Sequence, residues 1–243
     1  MQKVNRIQIT RVLFLIITIL SILNIGSIFQ TLPRELINKI DKNKLKASGS
    51  SPIWEYTEGD TVRSVAISSD SNYIVAGTLN NKILLFHKSS STPLWSYTAG
   101  DSIFSVDISS NGKYIVACGY DNAIRLFENT SSTPLWSFLV GGGDFPSTVA
   151  ISSDGNYIIA GSEGGDIGHY IYLFHKSSSY PQWRKEISDG VESVAISSDG
   201  SYMVVGSRDN KVRLFHRSSS TPLWSYTAGD SIFSVDIGVE LDL

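Results

Sequence analysis

The sequence predicts an all-β fold, a β-propeller of four-stranded antiparallel blades, preceded by an N-terminal transmembrane helix. Three observations carry that prediction. All five tryptophans, Trp54, Trp95, Trp136, Trp183 and Trp224, recur at spacings of 41, 41, 47 and 41 residues. Around them the same runs return with small variations: S-S-T-P-L-W-S-Y, S-V-A-I-S-S-D-G, Y-I-V-A-G and I-x-L-F-H. Turn signals cut each repeat into four short strand candidates, and four strands in about 40–45 residues is the length of one propeller blade.

From the N-terminus, residues 1–11 read as a cytoplasmic basic region carrying Lys3, Arg6 and Arg11. Val12 to Phe29 holds no charged residue, and the uncharged stretch runs on to Pro33. At about 1.5 Å per residue such a helix spans ~27–33 Å, the thickness of a bilayer core. Residues 12–33 are therefore expected to be a signal anchor. A cleaved signal peptide is the other reading of the same run, although no A-x-A-like site follows it. Residues 34–50 are polar and lysine-rich and read as a juxtamembrane linker. The expected location is the membrane, crossed once, with the propeller on the extracytoplasmic side.

The repeats fill 51–243, with units near 51–91, 92–132, 133–179 and 180–220 and a partial unit at 221–243. In the first unit the strand candidates lie near 62–68, 73–78, 83–87 and 93–98. Asn-Gly or Asp-Gly turns join the first two strands at Asn111–Gly112, Asp154–Gly155 and Asp199–Gly200, with Asp70–Ser71 in the first unit. Ser89–Ile108 is identical to Ser218–Ile237, which marks growth by duplication. A lone fourth-type strand at 52–58 and a lone first-type strand at 231–237 flank the four units. About 4.5 blades of this kind are expected to leave an open or truncated ring. Its uncovered faces invite self-association.

Charge excludes one class of partner. Residues 1–50 carry a net +6, whereas 51–243 carry a net −9. A phosphate-binding face needs clustered positive charge, so no nucleic-acid partner is expected. The single cysteine, Cys118, permits no intramolecular disulfide and no cysteine-based metal cluster. No Gly-x-Ser-x-Gly, no His-Glu-x-x-His and no lysine-bearing phosphate loop is present. No catalytic residue, metal or cofactor is expected.

The copies can be read against each other. Positions constant in every unit serve the blade, and positions that vary inside a constant frame are free to serve a partner. The tryptophans are constant and read as packing between blades. His87, His175 and His216 share one strand-end position. Arg63, Phe104, Ser147, Glu192 and Phe233 vary at one slot near the start of the first strand. Leu79, Tyr120, Glu163 and Arg208 vary in the loop between the second and third strands. The third unit adds six residues, bringing Asp166 and His169. Arg63, Phe104, Glu192, Phe233, Tyr120, Glu163, Arg208, Asp166 and His169 are the candidate partner-binding rim, since function concentrates in loops. Asp60, Asp101, Asp144, Asp189 and Asp230 precede the first strands and are a candidate acidic rim; Gly-Asp turn chemistry is their competing explanation. Asp107 and Asp236 stand where Ala66, Ala150 and Ala195 stand in other copies. They either face a wet channel or bond to neighbouring hydroxyls.

The run at 148–162, T-V-A-I-S-S-D-G-N-Y-I-I-A-G-S, with R-D-N-K-V-R-L-F at 208–215, resembles WD40 repeats. The resemblance covers about 51–243. Phe-His at 86–87, 174–175 and 215–216, and Phe-Glu at 127–128, replace that family's Trp-Asp, and the opening Gly-His is absent. The resemblance implies a non-catalytic scaffold that binds a protein or a surface polymer. The fourth-strand P-L-W-S-Y is also similar to the end of a quinoprotein-type (PQQ-like) repeat, which implies the alternative of a cofactor-binding or enzymatic propeller.

Overall fold

The computed structural model describes residues 52–141, 143–164 and 168–238. The expected anchor and linker lie outside the described residues. Among the described residues no helix is long and apolar enough to cross a membrane.

Sixteen strands form four four-stranded antiparallel sheets among the described residues. Blade 1 holds β1 (Val62–Ile67), β2 (Tyr73–Thr78), β3 (Lys82–His87) and β4 (Trp95–Thr98). Blade 2 holds β5 (Ile103–Ile108), β6 (Tyr114–Gly119), β7 (Ala123–Glu128) and β8 (Trp136–Leu139). Blade 3 holds β9 (Phe145–Ile151), β10 (Tyr157–Glu163), β11 (His169–His175) and β12 (Trp183–Ile187). Blade 4 holds β13 (Val191–Ile196), β14 (Tyr202–Ser207), β15 (Lys211–His216) and β16 (Trp224–Thr227). Within each sheet the strands follow chain order, so every blade is a meander.

The turns explain the meander. In each blade a serine hydroxyl at the end of the first strand meets an acceptor two residues on: Ser68 with Asp70, Ser109 with Asn111, Ser152 with Asp154 and Ser197 with Asp199. The next residue takes a left-handed backbone, φ 69° at Gly112, 73° at Gly155 and 69° at Gly200. Ser71 adopts the same conformation at φ 57° with its side chain in place. At Gly112 no side chain would fit, because a Cβ there would lie 2.3 Å from the Tyr73 ring of the preceding blade.

Three layers join one blade to the next. Outermost, a tryptophan, on the last strand of the preceding blade or, for Trp54, in the run before blade 1, lies over a phenylalanine of the following blade: Trp54 over Phe86, Trp95 over Phe127, Trp136 over Phe174 and Trp183 over Phe215. Each indole N–H donates to the carbonyl two residues beyond that phenylalanine, Lys88, Asn129, Lys176 and Arg217 in turn, at 2.7–2.9 Å. In the middle, apolar clusters run between neighbouring sheets, for example Val75 and Leu85 with Ile103, Ile115 and Phe127. Innermost, first strands pack in the order β1, β5, β9, β13. There Ser64 and Ser105 accept from the Val106 and Val149 amides across the joint. The phenylalanines in place of the family tryptophan thus each face an indole from the chain preceding their own blade.

Two sequence expectations are corrected. Residues 52–58 and 231–237 are not strands. Both are seated as strands would be, with Trp54 over Phe86 and the Val235 amide bonded to the Ser193 hydroxyl at 3.1 Å. Each lacks a strand beside it to complete a ladder, and backbone pairing is what makes an extended segment a strand.

Candidate functional site: the mouth pocket

The first strand of every blade carries a β-bulge, and the bulge decides where the variable slot points. In blade 1, Val62 pairs with Thr78 and Ser64 with Gly77, so Arg63 has no partner. Phe104 is skipped in the same way in blade 2 and Glu192 in blade 4. In blade 3, Thr148 pairs with Gly161 and Pro146 with Ser162, which skips Ser147. A bulge bends its strand and re-aims the extra side chain. Four blades therefore turn four different residues toward one end of the sheet stack.

There they line a single cavity of about 300 Å³, together with Tyr120, Phe145, Glu163 and Arg208. Six of the nine candidate rim residues, Arg63, Phe104, Tyr120, Glu163, Glu192 and Arg208, meet in this pocket. Phe233 is exposed and does not line it. Asp166 lies outside the described residues. His169 is elsewhere, on β11 near Asp144.

The pocket has an aromatic side and a charged side. Phe104, Tyr120 and Phe145 form a cluster, with ring centroids 4.3 Å apart for Phe104–Tyr120 and 4.5 Å for Tyr120–Phe145. The Arg63 guanidinium sits 5.9 Å from the Phe104 centroid, a cation–π contact at the edge of that cluster. Opposite, Arg208 forks between Glu163 and Glu192. Those two carboxylates share the Arg208 charge, while among the described residues Arg63 has an aromatic face and no ion pair. The pocket thus offers a stacking surface, a cation and a carboxylate pair.

Phe145 was missed by the sequence reading. It stands where Thr61, Ser102, Gly190 and Ser231 stand in the other copies. An aromatic residue at an otherwise small position, beside the inserted residues of the third unit, was the available signal.

The acidic rim divides. Asp60, Asp101, Asp189 and Asp230 each accept a hydrogen bond from the next residue's amide, at 2.6 or 2.7 Å. That is the turn chemistry that competed with a rim role. Asp144 is corrected outright: it is fully buried, so it belongs to no solvent-facing rim. Burial pushes its carboxyl above the usual range, with the nearby Ser162 hydroxyl and His169 ring opposing.

Asp107 bonds to amides rather than to hydroxyls. Its oxygens accept from the Ile108 amide and, across the joint, from the Ile151 amide, both at 2.8 Å. Burial pushes its carboxyl up to about 6 against those two hydrogen bonds. Among the described residues Asp236 keeps only the bond from the Ile237 amide. Cys118 is buried, and burial drives its thiol far above the usual range, so it is a packing residue and no nucleophile. The repeated histidines bond locally: Nδ1 of His87, His175 and His216 meets the hydroxyl of Ser89, Ser177 and Ser218 at 2.8 Å.

The family model described as WD domain, G-beta repeat matches residues 50–87, 91–128 and 183–216. These stretches cover blade 1, the first three strands of blades 2 and 4, and the last strand of blade 3, while β9–β11, the strands beside the added residues, are unmatched. No curated protein matches the chain. Three repeat matches on four four-stranded antiparallel blades make the chain a WD40-like β-propeller repeat protein.

Proposed function

We propose that this chain is a membrane-anchored scaffold that binds a segment of another protein at the mouth pocket, without catalysis. WD40 repeats generally mediate protein–protein interaction. One observation carries the more specific reading: one of the variable sets is the bulge residues, and the bulges bring them into one cavity with Tyr120, Glu163 and Arg208 of the variable loops. Duplication supplies identical blades, so differences concentrated at one mouth mark the place where the blades do different work. A partner side chain with an apolar or aromatic body stacks on Phe104, Tyr120 and Phe145. A carboxylate beside it meets Arg63. Aromatic and arginine side chains are the groups that dominate protein interfaces.

In this reading residues 12–33 anchor the chain and 34–50 space the propeller from the bilayer, on the extracytoplasmic side. Protease treatment of intact cells tests that arrangement, which predicts cleavage of 51–243 without permeabilisation. Protection of that region in intact cells contradicts it.

Binding is tested with a photocrosslinking phenylalanine analogue placed at Phe104 or at Lys185 in the full chain, in its membrane. The expected result is one protein crosslinked from position 104 and not from position 185 on the outer strand β12. Affinity for that protein is expected to fall about tenfold or more in Phe104→Ser, the effect of losing one central aromatic contact. Crosslinks to polysaccharide, or equal capture from both positions, contradict it.

A further inference from the structure

A buried carboxylate lies near the end of the second strand in every blade. In blade 2, Asp121 forms an ion pair with Arg125, and both side chains are buried. In blade 4, Asp209 and Arg213 form the same pair, equally buried, and Asp209 accepts from the Ser207 hydroxyl at 2.6 Å. In blade 1, the Glu58 side chain is 3% exposed and accepts from Lys82 at 2.6 Å and from Asn80 at 2.8 Å. Taking a carboxylate out of water is costly unless a cation and hydrogen bonds replace the water. These three blades supply a lysine or an arginine, which stays charged across the physiological range.

Blade 3 departs from this pattern. Tyr172 pairs with Ala160 where Arg125 pairs with Ala117 and Arg213 with Val205, so the arginine is gone. Four residues before Tyr172 stands Gly168, so its acidic partner is gone too. The carboxylate comes instead from Asp144, before β9, and it is fully buried. The Ser162 hydroxyl and the Phe145 amide lie near it. Among the described residues neither Asp144 oxygen has a hydrogen-bond partner, and the Nδ1 of His169 is buried and unpartnered as well. His169 opens β11 and is the charged group that acts on Asp144. The surrounding ionisable groups are otherwise engaged. Burial and the Asp144 charge push the Tyr172 hydroxyl up. Arg184 of β12 is exposed and lies over the Tyr170 ring at 5.1 Å, and Glu186 of β12 is exposed beside Gly168. Glu163 at the end of β10 pairs with Arg208, and Asp107 of β5 accepts from the Ile151 amide.

We infer that blade 3 is closed by a proton: His169 and Asp144 share one, which forms at acid pH the buried ion pair that arginine supplies permanently in blades 2 and 4, and the pair opens as pH rises. An imidazole gains and loses its charge between about pH 5 and 8, whereas a guanidinium keeps its own. The folded pair holds its proton to higher pH than the unfolded chain does, because losing it strands a charge in the joint. Closure is therefore complete at acid pH and is lost as pH rises. Asp144 adjoins Phe145, whose ring belongs to the aromatic side of the mouth pocket, so the proton sets how firmly that wall is held. That last consequence rests on the proposed binding role; the proton switch does not, and its failure would leave the pocket reading intact.

The test is hydrogen exchange of the full chain in detergent, read by mass spectrometry at about pH 6 and about pH 8 with intrinsic exchange rates divided out. Asp107→Asn is present throughout, which silences the other buried carboxylate raised into this range. Protection of residues 144–148 and 169–173 is expected to fall about tenfold or more from the lower pH to the higher. Residues 123–127 of blade 2 and 211–215 of blade 4, beside permanent cations, are expected to change by less than about twofold. Asp144→Asn, close in shape to the residue it replaces, is expected to abolish the fall in blade 3. Tyr172→Arg, which restores the arginine of the neighbouring blades, is expected to abolish it with Asp144 in place. No fall in blade 3, equal falls in blades 2, 3 and 4, or a fall that survives either substitution overturns the inference.

Discussion

Ser89–Ile108 and Ser218–Ile237 are the same sequence in two settings. In the first, blade 2 lies against it: Trp95 stacks on Phe127, Ile103 and Val106 are buried, and 103–108 is the strand β5. In the second, Trp224 is half exposed and Phe233 more so, and among the described residues 231–237 is paired in no strand ladder. Local bonds survive the change of setting. The Ala99 amide donates to the Asn81 carbonyl and the Ala228 amide to the Asn210 carbonyl, both at 2.7 Å. The Val106 and Val235 amides both reach a serine of the preceding blade at 3.1 Å. Sequence fixes turn chemistry and the path of the chain. The next blade decides whether that path becomes a strand and whether its aromatic surface is buried.

The largest expected difference lies at the tryptophans. Trp95→Ala removes a stacked indole from a filled joint and is expected to cost about 3–5 kcal/mol in urea unfolding, whereas Trp224→Ala costs within about 1 kcal/mol. Equal losses would break the comparison. Next come two glycines with the same neighbour. A Cβ at Gly77 would lie 2.5 Å from Ile103, and one at Gly206 would lie 2.5 Å from Ile232. Gly77→Ala is expected to cost about 1–3 kcal/mol, since the filled joint cannot give. Gly206→Ala is expected to cost less than half as much, because 231–237 can lift away. Thermal unfolding of the pair measures how firmly each twin is held.

The aspartates sharpen the contrast through pH. The folded-state pKa of Asp107 is raised to about 6 from 3.8, so the folded chain keeps a proton that the unfolded chain has released. The resulting stabilisation is complete below about pH 4 and is lost as pH rises through about 6. Asp107→Asn is expected to flatten this dependence and to gain about 1–3 kcal/mol above pH 7. Asp236→Asn, on the exposed twin, is expected to change stability by no more than about 0.5 kcal/mol. Stability measured in denaturant from pH 4 to 8 compares the two.

Much of the blade was legible in the sequence because it rests on local chemistry. The four strands of the first unit and the Asn-Gly and Asp-Gly turns follow from alternation and turn residues. The set of variable residues was legible as well, because duplication provides its own comparison. Their convergence was not. It depends on the bulges at Arg63, Phe104, Ser147 and Glu192, and a one-residue slip in pairing leaves no mark in composition. Asp144 was misplaced for a related reason. Its position in the repeat matched Asp60 and Asp101, but in blade 3 it is buried, with Ser162 and His169 beside it. Phe145 was less legible, because its slot holds a small residue in every other copy and its place in the pocket follows from the fold.

The account depends on four blades fanning so that their bulges meet at one mouth. The direct measurement is a pair of spin-label distances in the full chain, between labels at Arg63→Cys and Phe104→Cys and between labels at Arg63→Cys and Glu192→Cys, with buried Cys118 left in place. Residues from blades 1 and 4 line the same pocket, so the 63–192 distance is expected to be close to the 63–104 distance. Sheets stacked in a line at about 10 Å spacing would instead place 63 and 192 roughly 30 Å apart, three times the 63–104 distance, and that result would contradict the convergent mouth.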